Sequence, residues 1–398
     1  MISQHLHSAA RHARTIGRTL LMSLFLVACG GGVESGGTGG NATASYVSGP
    51  ITGFGSVIVG GVRFDDSTAA VSDADGGSRS RDDLKLGMTI NVRGTPIAGD
   101  GSSAATSIVV GSAIVGPVSV INVGAATLTV LGQPVDVLAT TVFDESLGGG
   151  IAALSIGDVI EVYALLDTAT QRYSATRIER RAVALVYQLR GVVANLNTAT
   201  RTFAVGSERI SYAQLAGSDV PASLANGSIV RAVLRTGPVP GLREALRLGT
   251  GVTTPRDFDE VRIEGLISAF TSSAVFSVDG VAVNAAQASF PDGTAGLAVG
   301  VRVALQGTVA NGVLNVSRVQ IKSLSEVEND FELRGLITSL DTTALRFTLR
   351  GVSVDYSGPV DYRDGTQADL RALASVEVRG RLSSDGTRLV ATRIEFKR

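Results

Sequence analysis

The chain has 398 residues, 44% of them hydrophobic and 18% charged, a balance that argues against both a disordered chain and a polytopic membrane protein. Gly accounts for 48 residues, against 12 Phe, 7 Tyr and no Trp, which suits many short strands joined by tight turns. All three histidines (His5, His7, His12) and the one cysteine, Cys29, lie in the first 29 residues, so the remaining chain is excluded from Ser-His-Asp and Cys-His catalysis, His-ligated zinc and haem, iron–sulfur clusters and disulfides.

Residues 1–28 read as an export signal. Arg11, Arg14 and Arg18, without any acid, precede an apolar run from Leu20 to Ala28, about nine residues where a spanning helix needs ~20. The run closes in Leu26-Val27-Ala28-Cys29-Gly30, which resembles the lipobox of bacterial lipoproteins. The resemblance implies cleavage between Ala28 and Cys29 and acylation of Cys29, so that the membrane becomes a partner through its lipid. Gly30 stands where Asp would signal inner-membrane retention, which implies an outer-membrane anchor, facing the periplasm or the cell surface. Residues 29–45 form the lipidated cysteine and a Gly-rich tether with a reach of roughly 20–24 Å. Removal of the signal leaves 32 basic and 36 acidic residues, a net charge of −4, which argues against nucleic acid as a partner.

The rest of the chain repeats itself. Opening strands carry glycines at 49, 116, 191, 265 and 335, spaced 67, 75, 74 and 70 apart. Fifteen or sixteen residues later a second glycine follows in the last four copies (Gly132, Gly206, Gly280, Gly351), while copy one reaches Gly60-Gly61 sooner. Short alternating runs on either side of that glycine predict a hairpin. A longer polar connection then leads through Leu-x-x-Gly to a fourth strand. Copy five replaces that glycine with Ala374, so its turn is expected to differ. Residues 366–373 predict one or two helical turns, and a fifth strand closes each copy.

Five short strands with a helical turn between the third and fourth predict an all-β chain. The expected architecture is a tandem array of about five small OB-like five-stranded barrels, ahead of a distorted sandwich or a solenoid. The repeats run 46–112, 113–183, 184–257, 258–327 and 328–398. Short links between units predict nearly modular stability, with residues 328–398 able to fold alone. The pattern Gly-x-Ile, Phe-x-Val-x-Gly, Leu-x-x-Gly-x-x-Val-x-Val-x-Gly, Ala-Thr-x-Ile resembles the bacterial family known as domain of unknown function 5666. The likeness is closest in copy one and weakest in copy three. It implies fold and location and transfers no catalytic residue.

Little in the repeats carries chemistry. Asp73-Ala74-Asp75-Gly76-Gly77 resembles the start of a calcium loop, but Ser78 and Leu84 stand where an EF-hand needs Gly and Glu, so a solvated turn is expected. With three lysines and no Gly-x-Ser-x-Gly, a serine nucleophile has no base. No cofactor, metal or catalytic residue is expected. Arg190, Arg262 and Arg334 recur beside the first strand, and Arg177, Arg318 and Arg393 on the last. These six form a candidate stripe for an anionic polymer, weighed against a solvent face whose partners are Glu179, Glu264, Glu332 and Glu395. Phe203, Phe276 and Phe347 are expected in the core. The expected function is a non-enzymatic envelope lipoprotein that binds an envelope protein or polysaccharide or acts as a spacer; the alternative is a binding module for an anionic polymer or small ligand.

Overall fold

The computed structural model describes residues 44–237, 241–253, 255, 258–323, 326–327 and 331–397. Ala28, Cys29 and nearly all of the tether lie outside the described residues.

Barrel 1 is built from β1 (Ser45–Phe54), β2 (Val57–Val59), β3 (Val62–Asp65), β4 (Ala70–Asp73), β5 (Thr89–Gly94) and β6 (Ser102–Val110). β1 pairs with β2, β2 with β3, β3 with β6 in parallel, β6 with β5, and β5 with β1, which closes a ring of five strands. β4 extends the parallel pairing along β6. Barrel 2 repeats the order with β7 (Ile114–Asn122), β8 (Thr127–Val130), β9 (Gln133–Phe143), β10 (Val159–Asp167) and β11 (Arg172–Arg180). Barrel 3 does so with β12 (Val186–Asn197), β13 (Thr202–Val205), β14 (Glu208–Ser211), β15 (Ile229–Arg235) and β16 (Arg243–Thr250). Barrel 4 uses β17 (Glu260–Ser272), β18 (Val275–Val278), β19 (Val281–Asn284), β20 (Arg302–Ala310) and β21 (Val313–Ile321). Barrel 5 uses β22 (Phe331–Asp341), β23 (Arg346–Leu349), β24 (Val352–Asp355), β25 (Asp361–Arg363), β26 (Ser375–Leu382) and β27 (Leu389–Phe396). The chain is therefore all-β, and the ring order first-second-third-fifth-fourth is that of an OB barrel.

The recurrent glycines have separate causes. Gly191 lies in extended backbone, and a Cβ there would overlap Val205 of the second strand; the opening glycine lets the first strand bend tightly around its barrel. The glycine before the fourth strand needs positive φ: 80° at Gly87, 92° at Gly157, 86° at Gly227 and 85° at Gly300. Copy five keeps the same turn. Its slot is filled by Leu373, at φ 66°, whose N–H donates to Ile337 O as Gly87 N–H donates to Ile51 O. The expected deviation at Ala374 is thus replaced by a strained, exposed leucine. The connection before it holds only a short 3-10 helix, Gln367–Asp369, capped by Thr366.

The barrels are not beads on a string. The first half of β1 pairs in parallel with β17, Ser45 opposite Glu260 through Ser48 opposite Ile263, and its end pairs with β22 at Gly53 and Phe54. β7 pairs with β12 at Gln188 and Leu189. The buried aliphatic residues accordingly merge across barrels: one core runs through barrels 1 and 5 and another through barrels 2 and 3, while barrel 4 shares Tyr46 with barrel 1. Phe203, Phe276 and Phe347 sit in these cores. The units are joined by more than the short links expected, because barrel 1 offers its strand edge to partners more than 150 residues away in sequence.

Candidate functional site

Strand register generates a row of three outward positions across the first, fourth and fifth strands of each barrel. Opposite residues of a ladder lie on one face, so their side chains are neighbours. In barrel 3 the row is Gln188, Val233 and Arg247; in barrel 4, Arg262, Gln306 and Arg318; in barrel 5, Glu332, Arg379 and Arg393. Tyr163 and Arg177 hold the last two places in barrel 2, and Tyr46 and Arg93 the first two in barrel 1.

In three barrels this row docks against barrel 1. The Asp75 carboxylate enters the barrel 3 row, where Gln188 Nε2 donates to it at 2.7 Å, Arg231 Nη2 at 2.9 Å, and Arg247 Nη2 approaches at 3.5 Å. Arg231 also donates to Ser112 O at 2.6 Å. The expected solvated turn is half right: Asp73 accepts from the Asp75 and Gly77 amides, while Asp75 is an anionic plug seated in barrel 3. In barrel 2, buried Arg177 donates to Leu86 O of barrel 1 at 3.1 Å and to Glu179 at 2.6 Å. Glu179 lies directly opposite Glu161, also buried. These like charges are neutralised by Arg177, by Arg79 of barrel 1, 3.6 Å from Glu161, and by Arg181, bonded to Glu161 and 3.8 Å from Glu179. The Tyr163 hydroxyl, buried beside this network without a hydrogen-bond partner, has its ionisation pushed up by desolvation. In barrel 5, Glu332 accepts from Arg63 of barrel 1 at 2.6 Å and from Arg379 at 3.0 Å.

A cavity of about 160 Å³ lies where barrels 1 to 4 converge, lined among others by Arg190, Arg231, Glu264 and Asp279. Its charges are matched internally. Arg190 Nε donates to Gly251 O at 2.6 Å and the guanidinium lies 3.8 Å from Asp279, while Glu264 takes Arg302 at 2.6 Å. Asp279 sits at a hairpin tip with φ 51°, and burial raises its pKa against the lowering influence of Arg190. The volume corresponds to about five waters at ~30 Å³ each, below the ~300 Å³ at which small-molecule sites begin. Its chemistry is that of a charge junction between barrels.

The six arginines of the candidate stripe are dispersed. Arg177 and Arg190 are drawn into seams, and Arg393 pairs with Asp361 at 3.1 Å. Arg334 is exposed and its side chain has no ion-pair or hydrogen-bond partner among the described residues. Arg262 and Arg318 are brought together, flanking Gln306, and their side chains have no ion-pair or hydrogen-bond partner among the described residues. Of the expected glutamate partners, Glu179 serves Arg177 and Arg181, Glu264 serves Arg302, Glu332 serves Arg63 and Arg379, and Glu395 takes Lys397. Sequence reasoning missed Arg247 and Arg231 because copy three is the most divergent; the alternation Leu246-Arg247-Leu248 on its last strand carries the same signal as Arg318. No group of three or more acids, His or Cys suited to a metal occurs among the described residues.

The family model described as "Domain of unknown function (DUF5666)" matches residues 115–179, 264–320 and 334–395, which are barrels 2, 4 and 5. Barrels 1 and 3 share their topology, although copy one had the closest resemblance by motif. A solved structure, "drosophila Unr CSD456", is 14% identical, covering 54% of this chain and 98% of that one, with a TM-score of 0.13, a value too low to carry an argument. No curated protein matches. Barrels 2, 4 and 5 thus match the family of domain of unknown function 5666.

Proposed function

We propose that the protein is a non-enzymatic cell-envelope lipoprotein, held to the outer membrane through acylated Cys29, whose barrels bind an envelope component as one docked unit. The observation that carries the binding reading over an extended spacer is the pairing of β1 with both β17 and β22. A spacer gains reach from modules laid end to end, whereas here barrel 1 bonds to strands that begin more than 200 residues after it. The buried charges of Arg177, Arg231, Glu161 and Glu264 support the same reading, since each is paired within the protein, with Glu179, Asp75, Arg181 and Arg302 respectively. Pairing also removes Arg177, Arg190 and Arg393 from any phosphate-binding surface, in keeping with a partner other than nucleic acid.

Labelling cells with palmitate and fractionating the envelope tests the anchor. Label in the wild type, lost with Cys29→Ser together with the outer-membrane fraction, is the expected outcome. An unlabelled wild type contradicts it.

A further inference from the structure

We propose that the outer face of barrel 4 is an open receptor for a carboxylated saccharide. The inference deepens the binding reading above and is independent of the lipid anchor. Its basis is an internal precedent. In barrel 3 the positions of Gln188 and Arg247 hold a carboxylate, that of Asp75. The same register positions in barrel 4 are Arg262 and Arg318, with Gln306 between them in place of Val233. Barrel 4 docks on barrel 1 through backbone pairing of β1 with β17, so no barrel 1 carboxylate is inserted between these side chains. Barrel 3 also uses Arg231, at 2.9 Å from Asp75, whose register counterpart in barrel 4 is Ala304; barrel 4 instead places two cations on either side of an amide, all three lacking a side-chain partner among the described residues.

Arg262 and Gln306 line a groove of about 430 Å³ with Asp259, Glu260, Gln287 and Asn315, within the ~300–1,000 Å³ of small-molecule sites, and Arg318 adjoins it opposite Gln306. A register shift between Gln306 and Gly307 forms a bulge there, the irregularity by which a strand re-aims its side chains. The Gln287 and Gln306 carboxamides are exposed and offer both donors and acceptors, the pattern that matches sugar hydroxyls. The aliphatic residues of the lining, Val261 and Val316, are buried at 1% and 4% exposure, so the groove offers no exposed aliphatic side chain to those of an acidic peptide. Two carboxylates in the lining, Asp259 and Glu260, the latter accepting from Ile97 N–H at 2.8 Å, disfavour a densely charged polyanion. A sugar acid, with one carboxylate per ring among hydroxyls, fits all three constraints.

Calorimetric titration of the full mature protein with tetragalacturonate, maltotetraose and tetraglutamate tests this. The expected result is binding of tetragalacturonate that weakens with salt, falls at least tenfold in the Arg262→Ala/Arg318→Ala double variant, and is unchanged by Arg334→Ala. Arg318 and Arg334 are exposed and Arg262 is half-buried beside barrel 1, and circular dichroism melting should confirm the fold of both variants. No binding of tetragalacturonate, equal binding of maltotetraose or tetraglutamate, or an unaffected double variant would overturn the proposal. The palmitate result bears on none of these outcomes, so loss of the anchor and loss of the receptor are separately readable.

Discussion

Barrels 3 and 4 carry the same three-position row in the same register and differ in what faces it. In barrel 3 an aspartate from barrel 1 sits between Gln188 and Arg247; in barrel 4 Arg262 and Gln306 line a groove and Arg318 lies beside Gln306, exposed. The difference teaches that one outward position on a small barrel can be either glue or receptor, decided by whether a neighbouring barrel supplies the counter-charge. It also explains why recurrent arginines are a poor guide to a ligand by themselves. Burial in a seam turns a guanidinium into a docking element, and only the exposed copies remain available to another molecule.

The seams should be costly to break and the open row cheap. Glu161→Ala leaves Arg79 and Arg181 facing Glu179 alone in a buried seam, and urea unfolding should register a loss of about 3 kcal/mol. Asp75→Ala empties the barrel 3 row and strands the mostly buried Arg231 guanidinium, for a loss of about 2 kcal/mol by the same measurement. Leu373→Gly should instead stabilise barrel 5 by about 1 kcal/mol, because the leucine is exposed at positive φ where glycine stands in every other copy. Arg318→Ala should leave stability within about 0.5 kcal/mol of wild type; a loss as large as that of Asp75→Ala would mean the barrel 4 row is also structural.

The charge junction adds a pH signature. Asp279 has a raised pKa in the folded protein, from burial opposed by Arg190, so the native state holds this proton more tightly than the unfolded chain. Its contribution therefore favours folding below the ordinary aspartate range and is lost as pH rises from about 4 toward the folded value. Asp144 behaves oppositely. Burial raises its pKa, but hydrogen bonds from Ser146 and the charges of Arg177 and Lys85 outweigh this and lower it, so its stabilisation is present above about pH 4 and lost below. Asp279→Asn keeps a residue tolerant of positive φ and should flatten the decline in melting temperature above pH 4. An unchanged pH profile would remove Asp279 from the junction's energetics.

Much of the fold was legible in the sequence because glycine recurs wherever the barrel demands it. The hairpin glycines, the bend glycines and the positive-φ turns carry the period, and the alternating valines carry the strands. What was not legible was contact between copies. Nothing in Ser45-Tyr46-Val47-Ser48 distinguishes an edge that pairs with β17 from one that faces water, since both read as a short alternating strand. Likewise Asp75 reads as a turn residue, and its partners Gln188, Arg231 and Arg247 lie more than 100 residues away. The arginine row was half visible: Arg177, Arg318 and Arg393 share a register, whereas Arg262 stands two residues earlier relative to its glycine than Arg190 and Arg334 do.

The central claim is that barrel 1 locks the other barrels into one cooperative unit, and hydrogen exchange through a urea titration tests it most directly. Amides of β1 should exchange with the same free energy as the cores of barrels 4 and 5, and Asp75→Ala should lower protection in barrels 1 and 3 together. Five separate unfolding steps, with Asp75→Ala confined in its effect to barrel 1, would contradict the account.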